Sequence, residues 1–128
     1  MIIGQVFRSF VHAFSGIKIV FKEEQNFRIQ IALAVLVVVM MFIFSLSVIE
    51  KSVLTLLIII VLVLEMLNSV LERFIDVFKP RVHTYIRDIK DIAAGAVFLS
   101  SLGSLLVGLV IFYPHIKELL FNLLKYII

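Results

Sequence analysis

The sequence predicts an all-α membrane protein: an N-terminal amphipathic surface helix at about 5–22, then three membrane-spanning helices at about 28–49, 52–74 and 90–113. Three observations carry that prediction. Of the 128 residues, 62% are hydrophobic, whereas soluble domains are about 45–50% apolar. The mean hydropathy is +1.18, which makes lipid the natural solvent. The apolar residues gather into three stretches, each near the length of about 20 residues that a spanning helix needs. Lipid offers the backbone no hydrogen bonds, so each stretch must be helical.

The surface helix comes first in the chain. Phe7, Phe10, Val11, Phe14, Ile17 and Phe21 recur at spacings of three and four, while Arg8, Ser15, Lys18 and Lys22 fall largely elsewhere. That pattern suits a helix lying in the membrane interface. The first span is interrupted only by Gln30, Ser45 and Ser47. The second is apolar except for Glu65, Asn68 and a few hydroxyls. The third is rich in small residues, among them Ala93, Ala94, Gly95, Ala96, Gly103 and Gly108, and it is expected to stop at Pro114. Small residues let helices approach closely in a bilayer, so this span reads as a packing helix. The tail, 114–128, is too short to span and is expected in the outer interface. The length allows one domain, so 1–128 is read as a single unit. No cleavable signal peptide is expected, because no short apolar core is followed by a small-residue cleavage site.

Charge sets the orientation. Arg8, Lys18, Lys22 and Arg28 precede or open the first span, and Arg73, Lys79, Arg81, Arg87 and Lys90 lie between the second and third. The link between the first two spans has only Lys51, balanced by Glu50. The positive-inside rule therefore places the N-terminus and the second loop in the cytoplasm.

Cysteine is absent, which excludes disulfides and thiolate metal sites. Walker A and G-x-G-x-x-G patterns are absent too. His12, His83 and His115 stand apart in the chain and read as polar surface or interface residues. The chemistry instead points to Glu65. An ionisable group at that depth costs about 2.5–3.5 kcal/mol on insertion scales, so it is a functional candidate. Asn68, Glu72 and Asp76 follow at i+3, i+7 and i+11. On a helix these four fall within an arc of roughly 80°, and Glu65 and Glu72 are about 10 Å apart along the axis. They form one stripe running from the membrane toward the cytoplasm. A plainer reading is that Glu65 and Asn68 only bind helices together by hydrogen bonds. Glu23 and Glu24 stand just before the first span, and Lys90 and Asp91 open the third. Carboxylates with a lysine are what Mg²⁺ and a polyphosphate need, since Mg²⁺ takes one or two carboxylates plus phosphate oxygens and lysine is a point-charge phosphate partner.

The run Glu65-Met66-Leu67-Asn68-Ser69, then Glu72, Asp76 and Lys90-Asp91, resembles the signature of the prokaryotic diacylglycerol kinase and undecaprenol kinase family. Gly16, Glu24, Phe27 and Arg28 resemble its first acidic motif, and Ala93 to Val97 the start of its third span. The resemblance covers about 7–113. It implies a homotrimer with active sites shared between subunits, in a bacterial-type inner membrane. It implies phosphorylation of undecaprenol or diacylglycerol by ATP, by direct in-line transfer. Glu65 would be the general base and Asn68 its support. Glu24 and Glu72 would hold the Mg²⁺ that accompanies ATP, while Asp76, Lys90 and Asp91 would bind nucleotide. The segments 22–28 and 90–97 look more like the undecaprenol kinase branch. Gln5 and His12 depart from the arginine and tyrosine of some members, and 79–83 is not the usual small-residue turn. The residues alone leave a second class open, an ion or proton pathway built on Glu65, Asn68 and Glu72.

Overall fold

The computed structural model of the chain describes residues 2–78 and 84–127, and the loop that carries Lys79, Arg81 and His83 lies outside them. Four helices follow one another: α1 (Ile2–Glu23), α2 (Gln25–Ile43), α3 (Val48–Phe78) and α4 (Thr84–Ile127). No strand occurs among the described residues. The chain is therefore all-α, and α2, α3 and α4 are each long and apolar enough to cross a membrane.

One residue joins α1 to α2. Glu24 has extended backbone angles (φ −98°, ψ 116°). Its N–H still donates to the Val20 carbonyl at 2.8 Å. A helix end leaves carbonyls without partners, and here Arg28 supplies them. Its Nη1 donates to the carbonyl oxygens of Phe21 and Lys22, both at 3.0 Å. Arg28 thus closes the elbow, and Val20 and Phe27 are buried beneath it.

The turn between α2 and α3 falls earlier than the sequence suggests. The first span was expected to run to 49, but α2 ends at Ile43 and α3 begins at Val48. The cause is a capping box. The Glu50 N–H donates to Ser47 Oγ at 3.2 Å, and the Ser47 N–H donates to Glu50 Oε2 at 2.7 Å. This reciprocal pair satisfies two donors at a helix start, so the helix starts where the pair can form. Glu50 is thereby a capping residue, and Lys51 lies inside α3.

α4 corrects a second boundary. The sequence reading stops the third span at Pro114, yet the helix continues through it to Ile127. Proline removes one backbone donor and crowds the preceding turn. The helix survives because the following residues are good helix formers and because His115 is anchored. Its Nε2 lies 3.1 Å from Glu50 Oε1. At 1.5 Å per residue, α2 is about 28 Å long and matches the hydrocarbon core, while α3 and α4, at about 46 and 66 Å, project beyond it.

The helices pack as an antiparallel series. α2 meets α3 through Gln30–Glu65 and Glu24–Ser69, and α3 meets α4 through Glu50–His115 and Lys90–Asp76. The end nearest the α2–α3 turn is closed by Met41, Leu46, Leu54 and Phe112. Phe44 stacks edge-on against Phe112 with ring centroids 5.8 Å apart. α4 packs against α3, but three of its glycines take no part in that contact. A side chain at Gly95, Gly103 or Gly108 would meet no atom within 4 Å, so the close approach they permit is not made within this chain.

Candidate active site

The opposite end of the bundle is polar. Glu65, on the α2-facing side of α3, is only 3% exposed. Gln30 of α2 donates to it, Nε2 to Oε2 at 3.0 Å. One turn further along α3, Ser69 is 1% exposed and its hydroxyl donates to Glu24 Oε1 at 2.9 Å. Arg73, another turn on, donates from Nε to Ser69 Oγ at 3.3 Å. Its Nη2 pairs with Glu23 Oε2 at 2.8 Å and lies 3.9 Å from Glu24 Oε1. The i, i+4 spacing puts Glu65, Ser69 and Arg73 one above the other. The α1–α2 elbow sets Glu23 and Glu24 against that column.

The remaining stripe residues sit beside it. Asn68 Nδ2 donates to Glu72 Oε1 at 3.3 Å, within α3. Glu24 accepts from Ser69, one turn from Glu65, and Glu72 lies two turns from Glu65, so three carboxylates share one region. Lys90 of α4 reaches Asp76 with 3.5 Å between Nζ and Oδ1. Asp91 is turned elsewhere: its side chain is 73% exposed and 4.0 Å from Arg87 on its own helix. The structure thus gathers Glu24, Glu65, Asn68 and Glu72 in one region and ties Asp76 to Lys90. It does not bring Asp91 to them.

Ser69, Arg73, Gln30 and Glu23 complete the network. The sequence reading takes Glu23 with Glu24 as an acidic pair before the first span and Ser69 only as part of the signature run, and gives Gln30 and Arg73 no part in the site. Ser69 and Arg73 had a signal in their spacing from Glu65. Gln30 had one as a lone amide inside an apolar span. Glu23 had none apart from standing beside Glu24.

A divalent cation fits these residues in one way. Among the described residues, no three His, Cys, Asp or Glu side chains group closely enough to hold a metal ion. A cage made wholly of protein ligands is therefore not built. Mg²⁺ asks for less, taking one or two carboxylates and filling its shell with phosphate oxygens and water. Glu24, at the elbow, and Glu72, on α3, are the carboxylates that the sequence reading assigns to that role.

A helical membrane protein with a buried carboxylate network at one end of its spans is the class that fold and site define. The profile described as prokaryotic diacylglycerol kinase matches residues 11–112. The undecaprenol kinase of Bacillus subtilis (strain 168) is 37% identical over 114 residues, covering 89% of this chain and 93% of that protein. The diacylglycerol kinase of Synechocystis sp. (strain ATCC 27184 / PCC 6803 / Kazusa) is 33% identical over 113 residues, covering 88% of this chain and 65% of that protein. The chain belongs to the prokaryotic diacylglycerol kinase family and is a membrane lipid kinase.

Proposed function

We propose that this kinase transfers the γ-phosphoryl group of ATP directly to the hydroxyl of a membrane alcohol at the cytoplasmic face of a bacterial inner membrane. Undecaprenol is favoured over diacylglycerol, because the relative named undecaprenol kinase matches nearly its whole length. The observation that carries the reading is the placement of Glu65: buried between helices, yet one turn from a network that opens at the end of the bundle.

Glu65 acts as the general base. An alcohol arriving sideways from the lipid gives its proton to the carboxylate as its oxygen bonds to the γ-phosphorus. The bond from that phosphorus to the nucleoside diphosphate breaks, with no phosphoenzyme. Phosphoryl transfer depends on alignment and charge neutralisation more than on covalent chemistry. Mg²⁺, held by Glu24 and Glu72 when bound, supplies that neutralisation. Asn68 orients Glu72 and stands beside Glu65 on the helix face. Lys90 adds positive charge for the phosphates, and Asp76, paired with it, serves the nucleotide from the same end. The N-terminus is cytoplasmic, as the lysine and arginine distribution requires. The working form is a homotrimer with shared sites, and the unfilled space beside Gly95, Gly103 and Gly108 supports close approach by another subunit.

An ion or proton pathway is disfavoured by what lies beyond Glu65. From Leu33 to Phe112, the groove between α2, α3 and α4 is lined by apolar side chains apart from Ser101 and Ser104. The test is transfer of labelled phosphate from ATP to a panel of lipid alcohols by purified protein in mixed micelles. Glu65→Gln is expected to lower turnover about 10²–10⁴-fold, the usual contribution of a positioned base, while nucleotide binding persists. Retained kinase activity would remove Glu65 from that role.

A further inference from the structure

Gln30 stands where two environments meet. Its side chain lines a groove of about 410 Å³ between α2, α3 and α4, whose other walls include Leu33, Val37, Leu62 and Leu105. Its amide is also the hydrogen-bond partner of Glu65 from across the helix pair. The polarity of that contact is fixed by chemistry. An amide oxygen facing a carboxylate would repel it, so the NH₂ faces Glu65. Its Oε1 is buried, with no hydrogen-bond partner among the described residues. A buried acceptor without a partner costs about 1–3 kcal/mol. A structure that needed only a helix–helix contact could place an apolar residue here without that cost.

We infer that Gln30 is the positioning residue for the base: by donating to Oε2 it fixes the orientation of the Glu65 carboxylate, leaving Oε1 of Glu65 to receive the lipid alcohol's proton. The inference rests on the assignment of Glu65 as base. It extends the logic of nucleophile, base and orienting group, in which the base is held by a third side chain. The groove ends at Gln30, the direct hydrogen-bond partner of Glu65. The alcohol's O–H bond breaks toward the carboxylate while its oxygen takes the phosphoryl group and the nucleoside diphosphate leaves. Gln30 exchanges no proton in this step. Its contribution is to remove the rotational freedom of a carboxylate that has no other hydrogen bond across the helix pair among the described residues.

Steady-state kinetics with undecaprenol in mixed micelles test this, on the wild type, Gln30→Met, Gln30→His and Glu65→Gln. Gln30→Met keeps the length and loses the donor. Its kcat is expected to fall about 10- to 100-fold, as when an orienting partner of a functional ligand is lost. KM for ATP and for the alcohol should stay within about twofold, since the lost interaction is not one that binds substrate. Gln30→His restores a ring N–H donor and should recover most of the rate. Should Gln30→Met not yield folded protein, Gln30→Asn is measured in its place: it draws the amide back by one methylene and should show the same loss in kcat. Unchanged kcat in the donor-free variant would overturn the inference. So would a loss confined to KM for the alcohol, which would make Gln30 groove wall only, or a Gln30→His variant as slow as Gln30→Met. Glu65→Gln separates the two claims. If it stays active, the base assignment fails and takes this one with it. If it is inactive while Gln30→Met turns over normally, only the role of Gln30 falls.

Discussion

The two ends of the α2–α3 pair are built on opposite terms. Near the turn, Met41, Leu46, Leu54 and Phe112 fill the space with hydrocarbon, and the polar contacts, the Ser47–Glu50 capping box and Glu50 with His115, sit at the margin. Near the elbow, Glu65 and Ser69 are buried alongside Val20 and Phe27, and the contacts between helices include hydrogen bonds and ion pairs. Lipid gives little reason for helices to associate through apolar surface, because the tails are as apolar as the side chains. The hydrocarbon end therefore holds by close packing and its capped turn. The polar end carries an insertion cost that packing does not require, which the proposed catalytic role of Glu65 would account for.

Ser69→Ala is the sharpest probe of that contrast after Glu65 itself. Ser69 touches Glu24 and Arg73 at once, so removing its hydroxyl takes one hydrogen bond from each, while Arg73 keeps its pair with Glu23. Hydrogen bonds to charged groups contribute about 1.5–3 kcal/mol, which corresponds to roughly a ten- to hundredfold loss if it falls on the reacting state. The expected outcome is a lower kinase rate together with a higher Mg²⁺ concentration for half-maximal activity, measured by Mg²⁺ titration. An unchanged titration would show that Ser69 only glues helices, and the two ends would then differ in polarity but not in purpose.

How much of this was readable in the chain differs between the ends as well. The helical class and the three spans follow from hydropathy, and the stripe of Glu65, Asn68 and Glu72 follows from helix periodicity. The cross-helix partners do not. No spacing within one segment says that Gln30 meets Glu65 or that Glu24 meets Ser69, because those pairs depend on how α2 is rotated against α3. Asp91 shows the reverse: adjacent to Lys90 in sequence, it faces Arg87 instead, since neighbours on a helix point about 100° apart. At the turn, Ser47 and Glu50 form a legible Ser-x-x-Glu motif, but the apolar run around it concealed the boundary. The continuation past Pro114 was hidden for a different reason. A helix-interior proline costs about 3 kcal/mol, and only the tertiary anchor of His115 on Glu50 offsets part of it.

Leu54→Ala probes the hydrocarbon end. Leu54 is buried among Met41, Leu46 and Phe112. In soluble cores such truncations cost about 2–5 kcal/mol. In lipid only the packing share remains, so about 1–2 kcal/mol is expected. Unfolding in mixed micelles by a denaturing detergent should report that loss, while kcat on the folded protein stays at the wild-type value. A fall in kcat equal to that of Ser69→Ala would mean that the two ends are coupled and that the apolar cluster helps to set the geometry of the site.

The smallest effect is expected at the capping box, and it tests whether the turn or the packing fixes the α2–α3 hairpin. Ser47→Ala removes the oxygen that accepts from the Glu50 N–H. It leaves Glu50 free to keep both its own bond to the residue-47 N–H and its contact with His115. Losing an N-cap side chain costs about 1 kcal/mol. Glu50→Gln complements it, because glutamine can still complete a capping box but cannot form an ion pair with His115. If the box sets the turn, Ser47→Ala lowers detergent-unfolding stability more than Glu50→Gln does, and neither changes kcat. If Glu50→Gln is the more damaging, the anchor across to α4 matters more than the cap. The continuation of α4 past Pro114 would then be part of what holds the hairpin closed.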